Sequence, residues 1–204
     1  MKRILLILCV VYAQVVLAQE IVSPVLANPF LKIAPAASGG VRNFMQTLAV
    51  SDTLPLPFVD DFSTARLIPD TLLWIDRSVY INNNFPVNPP STNVATFDGL
   101  DRFGNPYNIT GTDPYGFADT LTSRAIDLSS VTVADSVYLS FFIEPQGNGL
   151  DSLQQRDSMY VDFFNQFGIW ERIWRINTRG NTSVFTQYLI PVKETRFYHS
   201  GFRF

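Results

Sequence analysis

Two adjacent carboxylates and four scattered aromatic side chains are the groups with which this 204-residue chain could do chemistry. In LPFVDDFS, Asp60 and Asp61 are neighbours, so on a strand one points inward and the other outward. An inward carboxylate is costly unless it is paired or metal-bound. Calcium takes about six to eight oxygens from carboxylates and backbone carbonyls, so a structural calcium here is the one candidate cofactor. The competing reading is a solvated acidic pair at a strand end. Trp74, Tyr80, Trp170 and Trp174 are the candidate ligand-binding residues, because aromatic faces stack on sugar rings; for Trp170 and Trp174, which have apolar neighbours, burial competes with that role.

TFDGLDRFGNPY, residues 96–107, poses the choice between a metal loop and a turn. Gly99 and Leu100 stand where a D-x-[DN]-x-[DN]-G calcium series needs other residues, whereas Asp98-Gly99 and Gly104-Asn105-Pro106 are turn signals. A turn is the expectation. The polar stretch PQGNGLDSLQQRD (145–157) is long for a hairpin, and such loops often carry binding.

Other chemistry lacks its residues. His199 is the only histidine, and no G-x-S-x-G elbow accompanies it. One His and one Cys cannot build a zinc site. Neither a phosphate-binding G-x-x-x-x-G-K-[ST] nor a strand-linked G-x-G-x-x-G occurs. Glu20, Glu144, Glu171 and Glu194 lack the paired-carboxylate spacing of sandwich glycoside hydrolases. The expectation is a protein that is not an enzyme.

These residues must be carried by something, and the chain begins with an address. Lys2 and Arg3 precede an apolar run, Ile4 to Val11, and Val16-Leu17-Ala18 supplies a cleavage site, so residues 1–18 read as a secretory signal peptide. The apolar run is too short to span a bilayer of about 30 Å. Cleavage removes Cys9, the only cysteine, and leaves 13 basic against 18 acidic residues, a net charge of −5. With no basic cluster, nucleic acid is not an expected partner, and no membrane span is expected after cleavage. The expected location is secreted or at the cell surface, reached through the periplasm.

Residues 19–52, broken by Pro24, Pro29, Pro35 and AASGG, read as a linker or loosely ordered arm. From residue 53 the texture changes to short runs of Val, Ile, Phe, Tyr and Thr separated by Gly, Pro, Asn and Asp. Strands are predicted at 57–62, 72–75, 79–82, 94–98, 120–128, 136–144, 157–164, 169–176, 184–192 and 198–204. In SVYLSFFIE, Val137, Leu139, Phe141 and Ile143 share one face by the two-residue period. No segment carries a helical stripe. The predicted fold is all-β: a two-sheet antiparallel sandwich, jelly-roll-like, over residues 53–204. GFRF stops in mid-alternation, which predicts a domain truncated at its C-terminal end.

LPFVDDFS, the long stretch from PDTLLWID to FGNPY, ADTLTSRAIDLS and DSVYLSFFIEPQG together resemble the N-terminal region of large secreted Bacteroidota proteins of the type IX secretion cargo kind. The resemblance covers about residues 55–204, and its motifs are specific as a set but carry no assigned chemistry. A looser resemblance is to MAM and lectin-like jelly-roll modules. Departures are the absence of a sorting domain and of the usual continuation past GFRF. Asp followed by Ser or Thr and an apolar residue marks strand entries, and it also resembles the Bacteroidota O-glycosylation acceptor, at Thr53, Thr71, Thr120, Ser136, Ser152 and Ser158. Asn108 and Asn181 match the N-glycosylation acceptor of a eukaryotic secretory route. The expectation is a non-catalytic module for adhesion, or for glycan or protein binding, with a surface glycan or another cell-surface protein as partner. Alternatives are a structural component of a surface secretion or gliding apparatus, and an ancillary domain of a secreted hydrolase.

Overall fold

The computed structural model describes residues 27–28, 53–65, 67–107, 116–149, 157–177 and 183–204. The signal peptide, nearly all of the 19–52 arm, Ser152 and the acceptors Asn108 and Asn181 lie outside the described residues. What is described is all-β, with short strands, two 3-10 turns at 133–135 and 195–197, and no longer helix. Among these residues no helix is long and apolar enough to cross a membrane.

The alternating segments in the second half make the longest ladders. Tyr138–Ile143 (β5) pairs antiparallel with Thr186–Pro191 (β8), and Ser158–Phe164 (β6) with Trp170–Asn177 (β7). The inner faces of the two pairs meet, because Trp174 of β7 packs edge-on against Phe141 of β5 at 5.4 Å and against Tyr188 of β8 at 4.8 Å. Beneath them Phe163, fully buried, contacts Phe197 and Phe202, and this trio continues into Ile126, Leu128, Ile190 and Val192. At roughly 25 cal/mol per Å² of apolar surface removed from water, this cluster is the main source of stability.

The first half is built differently. Tyr80–Asn82 (β2) and Val94–Thr96 (β3) form a three-residue antiparallel ladder over a small cluster of Ala65, Val79 and Ile81. Thr53–Leu54 (β1) pairs with Ala125–Ile126 (β4), and this pair is parallel, against the antiparallel expectation.

Three predicted strands are not strands. Residues 57–62 curl because Asp60 and Asp61 accept hydrogen bonds from the backbone amides of Phe62 (2.8 Å) and Ser63 (3.0 Å), an Asx geometry that competes with a ladder. Asp70 does the same to Leu72, so 72–75 forms a turn with a single bridge at Trp74. Residues 198–204 make two single bridges, Ile126 to Phe202 and Phe164 to Arg203, that join β4 to the end of β6.

Candidate functional site

Asn82 ends β2 and is only 6% exposed, so its amide must find partners. It does so on all sides. Its Nδ2 donates to the Tyr80 carbonyl (3.1 Å) and to Thr96 Oγ1 (2.7 Å), and its Oδ1 accepts from the amides of Asn84 (3.1 Å) and Phe85 (3.0 Å). This one side chain therefore ends the strand and turns the chain into NNFPV. Across from it, Asn93 Nδ2 donates to the Phe62 carbonyl at 3.0 Å and ties the entry of β3 to the preceding loop.

Between these parts lies a cleft of about 370 Å³, lined by Ala65, Leu67, Tyr80 and Ile81 together with Asn82, Asn83, Asn84 and Asn93. That volume lies at the lower end of small-molecule sites, about 300–1,000 Å³. Asn82 and Asn93 are engaged in holding the frame. Asn83 and Asn84 are exposed, and their side-chain amides have no hydrogen-bond partner among the described residues. An amide presents two donors and an acceptor with two lone pairs, the pattern that reads neighbouring hydroxyl groups.

The Asn84–Val87 backbone is held from outside by the loop after β5. Glu144 accepts from the Val87 amide (3.0 Å), the Asn148 amide donates to the Phe85 carbonyl (2.6 Å), and Asn148 Nδ2 donates to the Asn84 carbonyl (3.3 Å). Gly147 permits this approach: its φ is +58°, and a Cβ there would lie 2.4 Å from the Phe85 carbonyl oxygen.

The residues singled out from sequence are distributed around the molecule. Tyr80 alone of the four aromatics lines the cleft, 7% exposed and edge-on to Phe85 at 6.4 Å. Trp74 is 5% exposed, packed on Phe58, Phe62 and Phe204. Trp170 and Trp174 face opposite ways. Their even spacing would place them on one face, but a bulge lets β7 slip one residue between the pairings Val161–Trp174 and Asp162–Arg172. Trp174 turns inward; Trp170, 43% exposed, stays outside beside Phe164. That outer face also holds Arg172, whose guanidinium lies 3.5 Å over the Tyr160 ring and forks onto Asp162.

Asp60 and Asp61 are both engaged. Asp60 spends one oxygen on the Phe62 amide and the other on the Trp74 indole N–H at 2.6 Å. Asp61 is capped by the Ser63 hydroxyl and amide, and these hydrogen bonds hold its carboxyl below the usual carboxylate range. Among the described residues no group of three or more His, Cys, Asp or Glu stands together as a metal site would need. Of the acceptor hydroxyls, Thr120 and Ser136 are exposed, and Thr53, Thr71 and Ser158 are half-buried. His199 is fully used: Nδ1 accepts from the Gly201 amide (3.1 Å), which puts the ring proton on Nε2, 3.1 Å from the Phe164 carbonyl.

Sequence reasoning reached Tyr80 but missed Asn83, Asn84, Asn93 and Gly147. The run of three asparagines that begins at the last residue of β2 was the available signal. Compared with protein-family models, curated proteins and solved structures, the chain matches none.

Proposed function

We propose that the chain is a secreted, non-catalytic jelly-roll module of two packed sheets, which binds glycan for adhesion at a bacterial cell surface through the asparagine-lined cleft. The observation that carries this reading is the pair of unengaged amides, Asn83 and Asn84, on a cleft whose other asparagines are spent on its frame. Sugars are recognised by few, well-placed polar groups against an apolar surface, and half-buried Leu67, over the buried Tyr80 and Ile81, is the apolar lining here. The inward contact of β5 and β8 with β7 supports the packed-sheet arrangement. The engagement of both His199 nitrogens by backbone supports a role without general acid–base catalysis.

The test is binding of the secreted chain to an oligosaccharide array, followed by titration calorimetry on the best hit. The double variant Asn83→Ala/Asn84→Ala should lose roughly tenfold or more in affinity, the loss of about 1.4 kcal/mol of polar contact, with an unchanged melting temperature. Absence of any glycan binding by the wild type, or full affinity in the double variant, rejects the reading.

A further inference from the structure

The stretch 98–107 is fastened at both ends by one side chain. Asp119, on the segment that leads to β4, accepts from the Gly99 amide at 2.7 Å with one carboxylate oxygen and from the Tyr107 hydroxyl at 2.9 Å with the other. Between those points the chain folds on itself. Leu100 and Pro106 form a bridge, and Asp101 Oδ1 caps the amides of Phe103 and Asn105, both at 2.9 Å. Leu100 is buried, so this small hairpin is seated in the protein. Asp98 stands at its base, its carboxylate accepting from the Leu100 amide at 3.0 Å.

The base of the hairpin thus holds two half-buried carboxylates in neighbouring positions, since the residue after Asp98 is the one bonded to Asp119. We propose that Asp119, with Asp98 beside it, is a proton-operated latch that fastens the 98–107 hairpin more tightly as the surroundings turn acidic. The hydrogen bonds from Gly99 and Tyr107 draw the hairpin in, more strongly when Asp119 is charged. What opposes them is the cost of two poorly solvated negative charges close together, and a proton on either carboxyl removes that cost. A protonated Asp119 keeps its carbonyl oxygen as an acceptor while its hydroxyl oxygen accepts less well, so the two hydrogen bonds weaken without being lost, and the relief of buried charge outweighs that loss.

The electrostatics agree with the geometry. Burial pushes Asp98 from 3.8 up to about 6 against the pull of the Leu100 amide. Burial likewise pushes Asp119 to about 6, with the Asp98 charge adding to it and the Gly99 and Tyr107 hydrogen bonds opposing. Tyr107 is raised to about 12, by burial first and then by Asp119; Ser78 lowers it and Asp101 raises it. Among the described residues no cation is among the causes for any of the three. A carboxyl whose midpoint is higher folded than unfolded contributes stability that is fully present below 3.8 and lost as pH rises through about 6. Tightening therefore occurs on acidification from neutral pH.

The measurement is a carboxyl-carbon NMR titration of the full secreted chain, with amide exchange protection of Gly99 read alongside at pH 7.5 and 5. The pair should titrate with apparent midpoints near 6, and Gly99 protection should be several-fold higher at pH 5. Asp98→Asn should lower the Asp119 midpoint and flatten the protection difference. Tyr107→Phe should move the same midpoint upward, because it deletes a hydrogen bond that favours the charged form. Opposite shifts in the two variants separate a latch from a merely structural pair. Midpoints near 4, equal Gly99 protection at both pH values, or an Asp119 midpoint indifferent to Asp98→Asn would each overturn the proposal. It stands independently of the glycan reading, since no group in it lines the cleft.

Discussion

The two halves of the molecule satisfy their backbones by different means. In β5–β8 and β6–β7 the amides and carbonyls bond strand to strand, over registers of six and seven paired residues. Between residues 60 and 105 the same duty falls to Asp60, Asp61, Asp70, Asn82, Asp98 and Asp101, each accepting from an amide two to four positions on. A ladder is insensitive to which side chain sits on it, so long as the inner face is apolar. A side-chain cap is one residue deep, and each is separately breakable. The second half therefore depends chiefly on its apolar inner faces, whereas the first half depends in addition on single polar side chains such as Asp60 and Asn82.

The largest effect that would test this contrast is Phe163→Ala. Phe163 is fully buried against Phe197 and Phe202, and such truncations cost about 3–5 kcal/mol. Chemical denaturation should show the loss as a lower midpoint with the whole chain unfolding together. A cost below about 1 kcal/mol would mean that the cluster is not the core.

Next in size is Gly147→Ala, which strains a left-handed residue and drives a methyl against the Phe85 carbonyl. We expect about 1–3 kcal/mol, the range for overpacking, together with weakened glycan binding, because the Asn84–Val87 backbone must move. Equal affinity in a destabilised variant would show that the clamp does not shape the cleft.

The smallest expected effect sharpens the contrast within one dipeptide. Asp60→Ala strips the Trp74 indole and the Phe62 amide of their acceptor and should cost about 1–3 kcal/mol. Asp61→Ala removes only a local cap at an exposed serine and should leave the melting curve where it was. Melting curves with millimolar calcium and with chelator should coincide for the wild type. A calcium-dependent rise that Asp61→Ala abolishes would favour the metal-site reading, since a ligand that binds only the folded form stabilises it by mass action.

How much of this was readable beforehand follows the same division. The strands at 138–143, 158–164, 170–177 and 186–191 announce themselves by alternation, and the structure sets them within two residues of the predicted bounds. Apolar neighbours did not separate Trp170 from Trp174, because a bulge shifts a side chain by one face and leaves no mark in composition. In DDFS and PDTLLW the Phe, Leu and Trp residues read as strand, yet the preceding aspartates took the amides first. For the cleft, nothing in the letters NNN separates Asn82, consumed by its own turn, from Asn83 and Asn84, left facing solvent. That distinction arises only when Thr96 arrives across the ladder.

The bridges made by Phe202 and Arg203 have a consequence in time rather than in space. Phe204 hydrogen bonds with Ser123, 81 positions earlier, and its ring lies against Phe58 and Trp74. The aromatic cluster around Trp74 cannot close until residue 204 has been synthesised. Contacts so distant along the chain make folding slow, because loop-closure entropy is spent before they reward it. The pairing of Phe58 and Trp74 with Phe204 thus waits on a closure that spans most of residues 58–204.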